Sequence, residues 1–528
     1  MITKYKSAFR LSAFRMAKAL GCLVFLFYPL SSFAKAYYID SKKGSDRNNG
    51  TAPSHAFQSL TKVNGLQLNP GDLVLFKCGT SYNGQLRISG IGEAGKLLAF
   101  GSYGTGTKPL INGEGKFKAA VLIYNSAHIL IENLEITNKG AAIEVGRMGV
   151  HILLDDFGIA KETILRNLYI HDVNGSNVKK DGGGAGIHWT NQGKQKSSAF
   201  DGLFIEKCVL ERTDRNGITS SGYWSRQDWF PSFHVVIRNN KLNDIGGDGI
   251  VPIGCDGALI EHNVVTKAGQ RFPEGDAAAG IWPWSCDGTV IQYNEVSYTA
   301  GPWDAQGFDS DWNSRNTIIQ YNYSHHNMGG FLLVCNDGGV GLPSSLGNIG
   351  TVVRYNISIN DGYRTTGKSA GFSPVIHITG PVKNTKIYNN LIFIPARNAA
   401  GLDSTLIEMG TWKGFADSTL VANNIFYVAG KASHNLASST RNIFKANVYA
   451  GSEQNRGLKG EGVYVDPGFF KLPLKDPEGF KELKFFMLKA GSALKKAGVS
   501  IITSATKDFF GNEVPIGTKP TIGVHQLN

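Results

Sequence analysis

The stretch "IIQYNYS", Ile318–Ser324, decides the fold because its pattern returns along most of the chain. Aliphatic residues alternate with polar ones, and an Asn follows at a bend. "VIQYNEV" repeats it at Val290–Val296, "VVRYNIS" at Val352–Ser358 and "KIYNNLI" at Lys386–Ile392. Aligned on the Asn, the repeats place Asn133, Asn167, Asn240, Asn263, Asn294, Asn322, Asn356, Asn390, Asn424 and Asn447 in one column, with Cys208 in the Asn place of "FIEKCVL". From Asn240 to Asn424 the intervals are 23, 31, 28 and then three times 34 residues. A short strand that recurs at variable spacing describes a solenoid whose strands stack while its loops differ in length. Alternate aliphatic side chains fill a narrow interior. An Asn at each bend satisfies backbone groups that burial would leave unpaired. The reading is all-β, a parallel β-helix.

The rest of the composition agrees. Glycine is abundant, 65 of 528 residues, and helical periodicity is almost absent, as expected for many short strands and tight turns. Residues 1–36 read as a secretory signal peptide: Lys4, Lys6, Arg10, Arg15 and Lys18 precede the apolar run "LGCLVFLFYPL" and the small residues of "SSFAKA". The run is too short to span a bilayer comfortably. A secreted or periplasmic, monomeric protein is expected, with no nucleic-acid or membrane partner. The net charge of +12 includes the leader cations; the smaller excess that remains suits an acidic polymer better than nucleic acid. Five cysteines follow the leader, an odd and sparse count without a CxxC pair, which argues against a disulfide scaffold and against zinc. Cys255 and Cys286 share a register in adjacent coils and are expected either as a disulfide or as stacked thiols. The β-helix is expected over residues 37–450, and 451–528 as a C-terminal strand and cap that shields the open end of the solenoid.

"YYIDSKKGSDRNNGT" (Tyr37–Thr51), "PGDLVLFKCGTSYNG" (Pro70–Gly84), the Tyr-Asn coils and "DFFGNEVPIGTKPTIGVHQ" (Asp508–Gln526) resemble secreted right-handed parallel β-helix proteins of the pectate-lyase-like superfamily, especially those of polysaccharide-degrading bacteria. The resemblance covers nearly the whole mature chain. It implies the fold, and leaves open lyases, glycoside hydrolases, epimerases and phage spikes.

A second strand aligns between the Asn columns, in "GIVPIGCDGALIEHN" from Gly249, "GIWPWSCDGTVIQYN" from Gly280 and "GFDSDWNSRNTIIQYN" from Gly307. Ile187, Ile218, Ile250, Ile281, Phe308 and Phe331 take the inward position. Alternation then sends two columns outward: His188, Thr219, Val251, Trp282, Asp309 and Leu332, and beside it Thr190, Ser221, Ile253, Trp284, Asp311 and Val334. Asp309 and Asp311 therefore lie next to Trp282 and Trp284, and carboxylates beside aromatic planes suit a sugar-binding cleft. The plain alternative is that the indoles merely cover the solenoid under a loop. Candidate catalytic groups are Asp309 and Asp311, with Asp276 and Asp248 as further partners. Candidate sugar contacts are Trp282, Trp284, Trp303, His188, Arg271, Gln306, His325 and His326. Asp304 belongs to the same polar edge.

A glycoside hydrolase needs an acid and a carboxylate at controlled separation. A polysaccharide lyase instead needs calcium or Arg to neutralise a uronate, and a base such as Lys267, Arg271 or His325; Asp248, Asp276, Asp309 and Asp311 can supply calcium oxygens. The hydrolase is the first reading, with no required cofactor and calcium as a possibility, and a plant or algal polysaccharide or oligosaccharide, acidic or neutral, as substrate. The lyase and a non-catalytic glycan-binding β-helix are the alternatives. The loops Asn336–Gly350 and Asn360–Pro374 are expected to wall the cleft, with Arg364 and Lys368 available to an anion.

Overall fold

The computed structural model describes residues 34–527 apart from 275, 339–340, 398–403, 457, 459–460, 474, 476 and 503–504. The expected leader falls almost entirely outside the described residues.

Most coils contribute three short strands. In the central coil these are Gln306–Ser310, Ile318–Gln320 and Tyr323–His325. All three pair in parallel with the equivalent strands of the neighbouring coils: Gln306–Ser310 with Gly330–Cys335, Ile318–Gln320 with Val290–Gln292 and Val352–Arg354, and Tyr323–His325 with Glu295–Ser297 and Ile357–Ile359. The fold is a parallel β-helix with three walls, here called the site sheet, the second sheet and the third sheet. The interior is a continuous apolar stack, of which Ile250, Ile281, Phe308, Ile291 and Ile319 are central members. No helix among the described residues is long and apolar enough to cross a membrane.

The site sheet thins in the middle. Strands Ala185–Gln192 and Asn216–Ser221 pair over several residues, whereas Ile250, Ile281 and Phe308 are joined only by single bridges. Proline explains the thinning. Pro252 and Pro283 have no N–H to give to a ladder, although their carbonyls still accept the amides of Trp284 (3.0 Å) and Asp311 (3.3 Å).

The Asn column is an internal hydrogen-bonded ladder. Asn322 donates its backbone N–H (2.9 Å) and its Nδ2 (3.0 Å) to Oδ1 of Asn356, and the same double contact links Asn240 to Asn263, Asn263 to Asn294, and so on to Asn447. Just before the Asn, Tyr293, Tyr321 and Tyr355 have φ of 55°, 57° and 51°, the left-handed bend that turns each chain from the second sheet to the third. Two members of the expected column are displaced. Asn133 and Asn167 occupy the outward left-handed position, with φ of 58° and 52°, while Leu134 and Leu168 fill the interior. Cys208 takes the Asn place as expected and donates its N–H to Asn240 Oδ1 at 2.9 Å.

The C-terminal segment differs from an end cap. Tyr323 Oη donates to Pro477 O at 2.8 Å, Tyr321 Oη to Lys507 O at 2.8 Å, Asn423 Nδ2 to Val499 O at 2.9 Å and Asn389 Nδ2 to Gly523 O at 2.8 Å. It is a strap along the outside of four coils. The cause lies in the third sheet: Tyr323, Ile357, Ile359, Leu391, Phe393 and Ile425 make its outer face apolar, and Leu483, Phe486, Leu488, Leu494 and Val524 cover it. The final strand, Glu461–Tyr464, still extends the solenoid by pairing with Ile443–Ala450.

Candidate active site

Asp309 and Asp311 lie on the outer side of the site sheet. Their neighbours Phe308 and Ser310 turn inward, Phe308 into the apolar stack and Ser310 to Thr351 Oγ1 at 2.9 Å. The bridge Ile281 to Phe308 sets Trp282 beside Asp309, and the Asp311 amide's bond to the Pro283 carbonyl (3.3 Å) carries the same register on to Trp284 and Asp311. One register differs from expectation. Phe308 opposes Leu332 rather than Phe331, and Asp309 opposes Leu333, because the turn before Gly330 holds one more residue than the sequence alignment allows. The outward columns therefore continue through Leu333 and Cys335, not Leu332 and Val334. Cys335 thereby meets Asp311: its Sγ donates to Asp311 Oδ1 at 2.8 Å, an oxygen that also accepts the backbone N–H of Trp312 at 2.5 Å.

Asp304 completes the group. It sits in the corner between the third sheet and the site sheet, where φ of 49° at Asp304 and 64° at Ala305 turn the chain sharply. Buried Arg364 holds this corner by donating to the Asp304 and Phe372 carbonyls. Arg364 is thus unavailable to an anion, and Lys368 is paired with Glu274 at 3.0 Å.

Electrostatics separate the three carboxyls. Burial, then the charge of Asp311, raise Asp304 from 3.8 to about 7. Asp309, only 3% exposed, is pushed well above the carboxylate range by burial and by Asp311, Asp304 and Asp248, and its Oδ1 has no hydrogen-bond partner among the described residues. Burial also raises Asp311, against the pull of the Cys335 thiol, the Trp312 amide and the Lys179 ammonium, which stabilise its charged form. Lys179, from the short helical turn Lys179–Asp181, reaches over Trp282 at 5.1 Å from the ring centre and lowers all three.

The other expected residues divide. Asp248 is committed: it pairs with buried Arg215 at 3.0 Å and accepts Trp282 Nε1 and the Ala279 amide, each at 2.9 Å. Asp276 lies at the edge and accepts the Lys179 amide at 2.8 Å. Trp282 is buried against Val251 and Ala279, so it packs rather than presenting a face. Trp284 stays half-exposed and stacks at 5.6 Å and 22° on Trp224, and both indoles contact Trp312 at 5.5 and 5.8 Å. Trp303, 47% exposed, forms the opposite flank with Phe372 at 6.0 Å. Gln306 is buried and donates to Gly329 O at 3.4 Å. Arg271 is tied to Asp214 at 2.9 Å and to Asp244. His325 and His326 face away: inward Ser324 sends His325 to the outer face of the third sheet, onto Tyr323 and Glu295, and His326 stacks on Tyr298. His188 lies on the site sheet three coils before Trp282, bonded to Ser221 at 2.9 Å and held neutral at about 3 by burial and by His151. Cys255 and Cys286 are both thiols, and Cys286 Sγ accepts the Cys255 amide at 3.3 Å.

The model of the right handed beta helix region matches residues 114–285 and 185–392, together more than half of the chain. The chain belongs to this family. Within the right-handed β-helix family it is 28% identical to a lacto-N-biosidase of Bifidobacterium longum subsp. longum, over 97% of its own length and 36% of that protein's. It therefore spans about a third of the curated relative it matches. The solved GH136 lacto-N-biosidase from Eubacterium ramulus superposes with a TM-score of 0.61 at 25% identity, over 79% of this chain and 68% of that one. XylC, solved with xylose, reaches 0.50 at 12% identity over 93% and 98%, a likeness of fold alone. These matches agree with the resemblance to pectate-lyase-like β-helix proteins.

Proposed function

We propose that this β-helix is a glycoside hydrolase in which Asp304 is the proton donor and Asp311 the ionised carboxylate. One observation carries the assignment: three carboxyls gather on the outer side of the site sheet and at its corner, where burial pushes Asp304 to about 7 while the Cys335 thiol and the Trp312 amide donate to Asp311 and favour its charged form. Paired carboxyls whose environments separate their pKa values are the requirement of glycoside cleavage. A sugar chain lies across the site sheet between the Trp224–Trp284–Trp312 flank and the Trp303–Phe372 flank. Asp304 gives its proton to the glycosidic oxygen as the bond to C1 breaks. Asp311 stabilises the positive charge at C1, as nucleophile or as base for a water. Asp309 stays neutral and donates a hydrogen bond to the sugar or to Asp311.

The substrate we favour is a neutral oligosaccharide. The cations that would meet a uronate are already engaged: Arg271 by Asp214 and Asp244, Arg364 by the Asp304 carbonyl, and Lys179 faces the carboxyl cluster. The similarity to lacto-N-biosidases favours an oligosaccharide ending in lacto-N-biose over a plant or algal polymer. Elimination has less support, since Asp248 and Asp276 are taken up by neighbours and Cys335 replaces an oxygen in the would-be calcium cage. Export, proposed from residues 1–36, brings the enzyme to glycans outside the cell. The test is digestion of lacto-N-biose-capped oligosaccharides and of a polysaccharide panel. New reducing ends without ultraviolet absorbance from an unsaturated uronate are expected. That absorbance, abolished by chelator, overturns the proposal, and binding without product makes the protein an adhesin.

A further inference from the structure

We propose that Asp309, Asp311 and Cys335 form a binding site for zinc or a similar thiophilic divalent cation, and that occupancy switches the carboxylate cluster off. The inhibitory clause rests on the hydrolase reading; the binding clause does not. One donor atom from each residue lies within 4.8 Å of the other two. Tetrahedral zinc, with bonds of about 2.0–2.3 Å to oxygen and sulfur, holds its donors about 3.3–3.6 Å apart, a spacing that rotation of the two carboxylates and the thiol has to supply. Two further observations point to a ligand. Asp309 keeps a buried Oδ1 with no partner among the described residues, and the Cys335 thiol, 3% exposed, spends its single proton on the carboxylate that would join it on the metal. A buried acceptor without a donor and a thiol pressed against a carboxylate are both relieved when one cation takes the place of the protons.

Sulfur selects the cation. Calcium and magnesium take oxygen donors, whereas a thiolate with two carboxylates suits zinc or cobalt. Binding releases the Cys335 proton, and that of Asp309, to solvent, with no change of oxidation state. The fourth position is left to water or to a sugar hydroxyl. With Asp311 coordinated, its charge is no longer available at C1.

Cobalt(II) is the spectroscopic probe. Titrated into the full protein, it is expected to give a thiolate-to-metal charge-transfer band in the near ultraviolet that zinc displaces. Cys335→Ser should abolish the band with an unchanged thermal midpoint, Asp309→Asn should weaken binding at least about tenfold, and Cys78→Ser, at the half-buried thiol, should leave the band intact. No band in the wild type, or a band that survives Cys335→Ser, overturns the site. Turnover read in parallel should fall in proportion to occupancy. Occupancy without loss of turnover leaves the site standing and refutes both the inhibitory clause and the role given to Asp311.

Discussion

Replacing Asp304 by Asn removes the proposed proton donor with little change of volume. With the carboxyl raised to about 7, roughly nine-tenths of the enzyme is protonated there at pH 6 and about a tenth at pH 8, so wild-type kcat/KM should fall about tenfold across that interval. Asp304→Asn should lose about 10²–10⁴ in kcat/KM on a natural glycoside. The loss should shrink sharply on an aryl glycoside whose leaving group needs no proton, and the alkaline limb should vanish. The same shift affects stability. A carboxyl raised on folding stabilises fully below its unfolded value near 3.8, and that contribution is lost as pH rises through about 7. About three units at about 1.4 kcal/mol each, discounted for partial exposure, give about 2–4 kcal/mol. Asp304→Asn should therefore unfold at a higher temperature than wild type at pH 8 and at a similar one at pH 4. An alkaline limb that persists in the variant, or equal losses on good and poor leaving groups, refutes the assignment.

Trp224→Ala should raise KM about threefold to tenfold with kcat nearly constant, since one stacked aromatic face contributes about 0.5–1.5 kcal/mol; an unchanged KM in steady-state kinetics moves the sugar off this flank. Asn322→Ala should cost about 1–3 kcal/mol in denaturant unfolding, because it strands two donors of Asn294 inside the solenoid. Arg364→Met should lower kcat more than it raises KM, by releasing the corner that aims Asp304, and equal effects on both would argue against a positioning role.

The fold was legible because a two-residue alternation and a recurrent Asn are local signals. The outward placement of Asp309 and Asp311 follows from the same alternation, as does their pairing with Trp282 and Trp284. What the sequence hid depends on turn length and on distant chain. One extra residue before Gly330 moved Cys335, rather than Val334, beside Asp311. Lys179 and Trp224 come from loops more than 80 residues upstream of Asp309, and no periodicity links them to it. Asp304 lies three residues before the quoted coil that starts at Gly307, yet its distinction is a shifted acidity that only its neighbours create. Asp248, Gln306 and Arg271 read as polar edge residues because a sequence does not reveal which side chains already have partners.

The strap over the third sheet has a mechanical consequence. A bare solenoid frays from its ends, coil by coil, because each repeat holds only its neighbours. Here a single segment is stitched to Tyr321, Tyr323, Asn389 and Asn423, so the last coils cannot peel away until the stitching is lifted. A chain cut after residue 473 would bare a greasy parallel wall and should clump rather than remain a shorter rod.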